Sequence, residues 1–391
     1  MNLTNQNRIQ SVDFLKGFVI VLMALDHTRV YFHREYFYFE PTDIDQTNFW
    51  IFFTRFITHF CAPVFVLLAG TSAFFVEQKI GKNAVSKWLL KRGMWLIFVE
   101  IIIITFGWRF QLNFDAIIFQ VIWLLGASML FLALFIHIPK RPMIVLCLLV
   151  IFGHNLLDGF LGGQLGDFWK LLHVRGPIQL TDSIYILNAY PLLPWIFVMP
   201  LGYYLGILYK PGYDALKRQQ ILIRTGIFAI LLFFVLRFAN VYGDLVPRSS
   251  YDDFTKTLLS FFNVTKYPPS LLYLLITLGP SLIVLSLAEK FKGKLFEVMV
   301  LFGKVPMFFY IIHIYWIHLL ALLAVYLTGY DPELMIIDVW IGLVTDLQGY
   351  GFSLGIVYLV WIFVVVSLYP VCKWYWNYKK NNRKYWWLSY L

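Results

Sequence analysis

Residues 8–31 read RIQSVDFLKGFVIVLMALDHTRVY. The stretch opens with Arg8, Asp13 and Lys16, crosses an apolar run over 17–25, and meets Asp26, His27 and Arg29 before a helix of membrane-crossing length has ended. Crossing the hydrocarbon layer takes about 20 mostly apolar residues. Ionisable groups at that depth are costly and mark functional positions by default. The reading is therefore a first membrane helix with chemistry at its far end, and the remaining helices pack around that end.

Composition supports a membrane protein. Of the 391 residues, 60% are hydrophobic and 14% charged, and the mean hydropathy is +0.70. A soluble protein with a large core does not reach these values. The apolar segments predict an all-α polytopic helix bundle of about ten transmembrane helices. They fall over 12–32, 51–76, 93–108, 115–137, 142–158, 185–209, 221–240, 269–288, 305–328 and 353–371, with a surface helix over 252–263. Residues 159–184 read as one long loop, 289–304 as a basic loop and 329–351 as an acidic, half-polar segment. No soluble stretch is long enough to fold alone, so the chain reads as a single domain over 1–391.

The net charge of +10 does not argue for nucleic acid, because most of the Lys and Arg fall on alternate loops and termini. That is the positive-inside bias. It predicts a multi-pass protein of the cytoplasmic (inner) membrane with both termini cytoplasmic and His27 near the outer face. Membrane lipids are then the surrounding partners, and self-association is open. Cys61, Cys147 and Cys372 lie in or beside apolar segments with neither disulfide nor metal spacing. No metal is expected.

His27 is the sharpest chemical signal. An imidazole takes and returns a proton near neutral pH, which suits a general base for a hydroxyl or amine. Asp26 points about 100° away on a helix, so it positions a substrate or pairs with Arg29. The competing reading is a salt bridge that only anchors the helix. Arg55 and His59, at i and i+4, share a face of the second helix, which returns from the loop after the first and brings both near His27. Lys266 at the outer boundary, Trp195 beside a proline kink, and His313 complete the candidate substrate-binding set. Glu100 lies mid-span and needs a partner.

Arg8, Asp13-Phe14-Leu15-Lys16-Gly17, Met23 and Asp26-His27 together resemble the opening of the heparan-α-glucosaminide N-acetyltransferase-like membrane proteins of bacteria. The likeness continues through Phe60-Cys61-Ala62-Pro63-Val64-Phe65, Ala69-Gly70-Thr71-Ser72, Lys91-Arg92-Gly93 with Glu100, and His154-Asn155-Leu156-Leu157-Asp158. It runs on through Tyr190-Pro191-Leu192-Leu193-Pro194-Trp195, Lys266-Tyr267-Pro268-Pro269-Ser270 and Pro306-Met307-Phe308-Phe309-Tyr310 with His313, and is strongest over 8–328. The spacing from Asp13 to His27 is also similar to that of the wider membrane acyltransferase group that O-acetylates surface sugars, in which the matching histidine, here His27, is catalytic. In the lysosomal N-acetyltransferase the active histidine comes later, which makes His33 the other candidate base.

The resemblance implies acetyl-CoA or another acyl-CoA as co-substrate, which would enter from the cytoplasmic side with its phosphates met by Lys82, Lys91 or Arg92. The acyl group would pass to a sugar hydroxyl or amine at the outer face. Two other readings of the same residues stand beside it. One is a transporter of a small anionic or lipid-linked solute, which also uses mid-membrane polar groups and proline-broken helices. The other is a structural membrane protein in which the polar cluster is helix glue.

Overall fold

The computed structural model describes residues 9–159, 165–338, 340–382 and 384–389. Arg8 and residues 160–164 of the long loop lie outside them. The chain is mostly helical. It begins with α1 (Gln10–Phe32), α2 (Phe49–Thr58), α3 (Cys61–Ile80) and α4 (Lys82–Val99), which continues through a π-helical turn, Glu100–Ile104, into α5 (Thr105–Arg109). β1 (Ala116–Phe119), α6 (Val121–Phe135), α7 (Lys140–Gly153), α8 (Gly166–Leu172), β2 (Gly176–Gln179), β3 (Tyr185–Asn188) and α9 (Trp195–Leu205) follow. The remainder is α10 (Ala215–Ala239), α11 (Phe254–Phe262), α12 (Leu271–Leu287), α13 (Lys294–Lys304), α14 (Pro306–Leu327) and α15 (Leu354–Asn381). Among the described residues, six helical runs are long and apolar enough to cross a membrane, so the protein is multi-pass.

Apolar side chains alone do not select one packing when the surroundings are apolar too, so close backbone approach at small residues does much of that work. Four glycine pairs set it here. A Cβ on Gly17 of α1 would lie 1.7 Å from the Met299 carbonyl oxygen of α13, and one on Gly303 would lie 1.8 Å from that of Asp13. Gly70 of α3 and Gly202 of α9 meet in the same way, 1.9 Å from Met199 O and 1.8 Å from Leu67 O. Gly93 and Gly126 join α4 to α6, and Gly226 and Gly279 join α10 to α12. No side chain larger than hydrogen fits these crossings unless the helices separate.

The two ends of the bundle differ. At one end α3–α4, α6–α7 and α13–α14 are joined by a few residues each. At the other lie the long connections 33–48, 110–120, 154–194, 240–270 and 328–353. Buried arginines organise these. Arg109 donates to the carbonyls of Ile337 (2.9 Å), Asn113 (3.1 Å), Ala116 (2.7 Å) and Asp338, and pairs with Asp115 at 2.7 Å. Arg237 donates to Phe261 O (2.8 Å), Ser260 O (2.7 Å), Asn263 O (2.7 Å) and Val246 O (2.9 Å). It thereby satisfies carbonyls that the end of α11 leaves open.

Several expectations from the sequence are corrected. The fold is not wholly helical: β1, β3 and β2 form a three-stranded sheet in that order. β1 runs parallel to β3 with Ile117 opposite Ile186, and β2 runs antiparallel with Ile178 opposite Ile186. β1 and β3 sit inside longer apolar runs, where hydrophobic period does not separate strand from helix, and β2 lies within the stretch expected to be one long loop. The helix expected over 51–76 breaks between α2 and α3. Pro63 has no N–H to offer the His59 carbonyl four residues back, and the Tyr273 hydroxyl donates to that carbonyl instead at 2.7 Å. The basic loop 289–304 contains α13, and the last helix extends to Asn381 rather than 371.

Candidate active site

The last turns of α1 carry Asp26, His27 and Arg29 to the end of the bundle with the long connections. There they border a cavity of about 520 Å³. Asp26 accepts from Arg29 Nη2 at 3.1 Å and from Arg55 Nη1 of α2 at 2.6 Å. The break before α3 turns His59 toward the same space, and Arg55, His59 and Cys61 all line it. Lys266 and Tyr267 from the segment before α12, Trp108 and Gln120, and Ile118 and Leu187 from the sheet form the other walls.

His27 is held from behind. Its Nδ1 lies 2.8 Å from Nε2 of His313 on α14, and His313 Nδ1 lies 2.9 Å from the Phe309 carbonyl oxygen. A carbonyl only accepts, so His313 Nδ1 carries the proton and its Nε2 is the acceptor. His27 Nδ1–H then donates to it, which leaves the His27 Nε2 lone pair without a hydrogen-bond partner among the described residues. The His27 and His313 rings stack with centroids 4.9 Å apart, and Trp108 meets His27 edge-on at 4.7 Å. The imidazole is thus fixed in position and in tautomer, with a basic nitrogen available on a cavity-lining residue.

Lys266 is 7% exposed and makes no ion pair among the described residues. Its ammonium lies 5.1 Å from the Tyr267 ring centre, and the Arg175 guanidinium lies 5.3 Å from the same ring. Burial opposes ionisation of the Tyr267 phenol, but Lys266 and Arg55 outweigh it and bring its pKa down to about 8.

Glu100 has its partner in the backbone: its carboxylate accepts from Gln120 N at 3.1 Å and Trp123 N at 2.8 Å. It caps the start of α6, where open N–H groups favour a negative charge. The π-helical turn begins at Glu100 itself.

Of the residues singled out in the sequence, Asp26, His27, Arg29, Arg55, His59 and Lys266 come together on the cavity wall. His313 touches His27 rather than the cavity. The expectation that Trp195 lines the cavity is corrected: it is fully buried, packed against Tyr190 and Tyr273. His33 lies outside the cavity, one residue beyond α1, with Nε2 2.9 Å from Glu35. Burial lowers its pKa to about 4, with Arg29 adding to the shift and Glu35 opposing it. Lys82, Lys91 and Arg92 are not part of the cavity. Lys82 follows the far end of α3, whose 20 residues span about 30 Å from the cavity-lining Cys61.

Sequence reasoning missed Trp108, Gln120, Arg175 and Tyr267. Tyr267 stands in the Lys266-Tyr267-Pro268-Pro269-Ser270 motif, and Arg175 lies in the long loop 159–184, of a length that goes with either function or disorder. Among the described residues, no three of the His, Cys, Asp and Glu side chains gather to hold a metal ion.

A family model described as heparan-alpha-glucosaminide N-acetyltransferase, catalytic, matches residues 8–237. No curated protein matches the chain. The matched span takes in Asp26, His27, Arg29, Arg55, His59 and Glu100, and stops before Lys266 and His313. Since it covers more than half of the sequence, the chain belongs to the heparan-alpha-glucosaminide N-acetyltransferase catalytic family of transmembrane acetyltransferases.

Proposed function

We propose that the protein moves an acyl group, in the simplest case acetyl, from cytoplasmic acyl-CoA to a hydroxyl or amine of a sugar at the outer face of the cytoplasmic membrane. The observation that carries this reading is the hydrogen-bonded series His27–His313–Phe309 O, which leaves a basic Nε2 on a cavity-lining ring. In this reading His27 Nε2 takes the proton from the acceptor as its oxygen or nitrogen attacks the thioester carbonyl carbon. The C–S bond then breaks, and the departing CoA thiolate takes the proton from the imidazolium. Asp26 holds Arg55 at the cavity wall, where the guanidinium stabilises charge developing on the carbonyl oxygen. Arg29, His59 and Lys266 position the acceptor.

The topology supporting this has ten spans in one domain over 1–391: α1, α2–α3, α4–α5, α6, α7, α9, α10, α12, α14 and α15. Both termini are then cytoplasmic, because the short connections carry the basic residues. The cavity opens outward, and Lys82, Lys91 and Arg92 face the acyl-CoA phosphates on the other side.

The test is CoA release from acetyl-CoA by the purified protein in detergent, wild type beside His27→Ala, with folding checked by thermal unfolding. Release that depends on His27 supports the reading. A well-folded protein that neither binds nor cleaves any acyl-CoA overturns it and leaves the transporter reading.

A further inference from the structure

The His154-Asn155-Leu156-Leu157-Asp158 stretch plays no part in the reaction proposed above, yet it holds the start of α12. His154 Nε2 lies 2.8 Å from the Pro269 carbonyl oxygen, and Asn155 Oδ1 accepts from Leu271 N at 2.9 Å. Pro269 belongs to a tight turn over 265–270, closed by Ser270 N donating to Thr265 O at 3.0 Å. Lys266 and Tyr267 of that turn form part of the cavity wall. His154 therefore stands directly behind the wall and fastens it to the end of α7.

The fastening depends on a proton. His154 Nδ1 lies 2.9 Å from the Ile151 carbonyl oxygen, so both ring nitrogens face carbonyls. A carbonyl only accepts, and a neutral imidazole has one N–H, so the two bonds together require the imidazolium. A counter-charge is close by. The Asp158 carboxylate accepts from Asn155 Nδ2 at 2.7 Å and from His173 Nε2 at 2.8 Å, and no lysine or arginine pairs with it among the described residues. Buried His173 has no partner at Nδ1 there, so a second proton on that ring would go unsatisfied and His173 is the neutral donor. Its ring centre lies 5.9 Å from that of His154. The cluster balances its charge only when His154 is protonated. The other titratable groups around it are Tyr242, which donates to Phe152 O, Asp244, which accepts from Thr265 and Ser270, and Lys266 and Tyr267 on the turn itself. His318 also stands between two carbonyls, Gly107 O at 2.9 Å and Met335 O at 2.7 Å. No carboxylate accompanies it among the described residues, and the proposal is confined to His154.

We propose that His154 is a proton-dependent positioning residue: as the imidazolium it clamps the turn 265–270 to the end of α7, and losing one proton to solvent as pH rises frees the turn and, with it, Lys266 and Tyr267 on the cavity wall. The neutral ring keeps one N–H for one carbonyl and turns a lone pair to the other, so one bond is replaced by repulsion. The clamp is closed at lower pH and released at higher pH. In the topology proposed above the acidity that counts is that of the outer side. The inference needs the cavity but not the acyltransferase reading.

The test is nitrogen NMR of the full-length protein in detergent, with its histidine rings labelled, alongside hydrogen exchange of the amides in 265–271 corrected for the intrinsic effect of pH. Of the eight histidines, the one whose signals vanish in His154→Gln is expected to carry both protons at about pH 5.5 and one by about pH 8. Over that range exchange in 265–271 should quicken about tenfold, as for the loss of one hydrogen bond to a charged group. His154→Gln, whose amide does not titrate, should make the corrected exchange independent of pH. Asp158→Asn removes the counter-charge and should move the transition to lower pH. A His154 ring that stays neutral throughout, or a titration that leaves exchange in the turn unchanged, overturns the proposal. So does an unshifted transition in Asp158→Asn, which keeps the test decisive should His154→Gln not fold. None of these readouts needs turnover, so a failure of CoA release counts against the acyltransferase reading separately.

Discussion

His27 and His313 are 286 positions apart in the sequence, and their imidazoles share a hydrogen bond of 2.8 Å. The Phe309 carbonyl fixes which nitrogen of His313 is protonated, and His313 fixes it for His27. Removing the second ring should therefore affect the chemical step more than binding. His313→Leu is expected to lower kcat for CoA release by about 10–100-fold, the range for groups that orient a reactive histidine, with the KM for acyl-CoA little changed. His313→Gln, which can still accept from His27, should recover part of the loss. Steady-state CoA release in detergent reads both.

Asp26 is the single carboxylate between two guanidinium groups, at 3.1 Å and 2.6 Å. Asp26→Asn keeps the shape and removes the charge, leaving two cations beside each other in a largely buried place. A loss of about 3 kcal/mol in stability is expected, at the low end for breaking a buried pair from one side. Thermal unfolding in detergent should show it. A variant as stable as wild type would mean that the pair is effectively solvated.

Gly17→Ala places a methyl group where the Met299 carbonyl oxygen now lies 1.7 Å away. Helices α1 and α13 must separate, and a loss of about 1–3 kcal/mol is expected, as for overpacking a well-filled core. Gly355→Ala in α15 meets nothing within 4 Å and should be neutral or slightly stabilising. Comparing the two by thermal unfolding separates close packing from helix propensity.

His33 is buried uncharged, with its pKa brought from 6.5 to about 4. The unfolded chain binds a proton here at a pH where the folded one does not, so folding stability falls as pH drops from about 6.5 toward 4. His33→Gln should flatten that part of the stability profile, which denaturant melts across the range would measure. An unchanged slope would exclude His33 as its source.

Tyr267 titrates at about 8 rather than 10. The folded protein releases this proton before the unfolded chain does, so the group adds stability as pH rises from about 8 to 10. Phenolate absorbance should show one early-titrating tyrosine, absent in Tyr267→Phe. In Lys266→Met its midpoint should move upward, because the nearest cation is gone.

Much of the helical architecture could be read in the sequence because membrane helices announce themselves by length and composition. The ends of α1, α12 and α14 fall within a few residues of their expected places. The errors cluster where local sequence is ambiguous. β1 runs into α6 after a single residue, and β3 opens the apolar stretch that leads to α9. The break between α2 and α3 follows from Pro63, but the group that takes up the freed His59 carbonyl, the Tyr273 hydroxyl, lies more than two hundred residues away. α13 starts at the last of three closely spaced lysines, Lys290, Lys292 and Lys294, which gave its segment the look of a basic loop. The site was legible to a similar depth: Asp26, His27, Arg55 and His59 follow from two helices joined by one loop, a nearly local relationship. Trp195 failed because a kink in the chain does not say which face it opens.

The sequence by itself determined that the chain is a multi-pass helical membrane protein, that ionisable groups lie at the end of its first helix, and which family it resembles. These follow from hydropathy and residue order, which are properties of single segments. Only the tertiary structure decided that His313 stands behind His27, that Glu100 caps α6, and that Lys266 and Arg175 share one aromatic ring. The first and third join segments far apart in sequence, and the second joins α4 to α6, which cross where Gly93 meets Gly126. No local pattern encodes which glycine meets which backbone; that is settled only when all the helices pack at once.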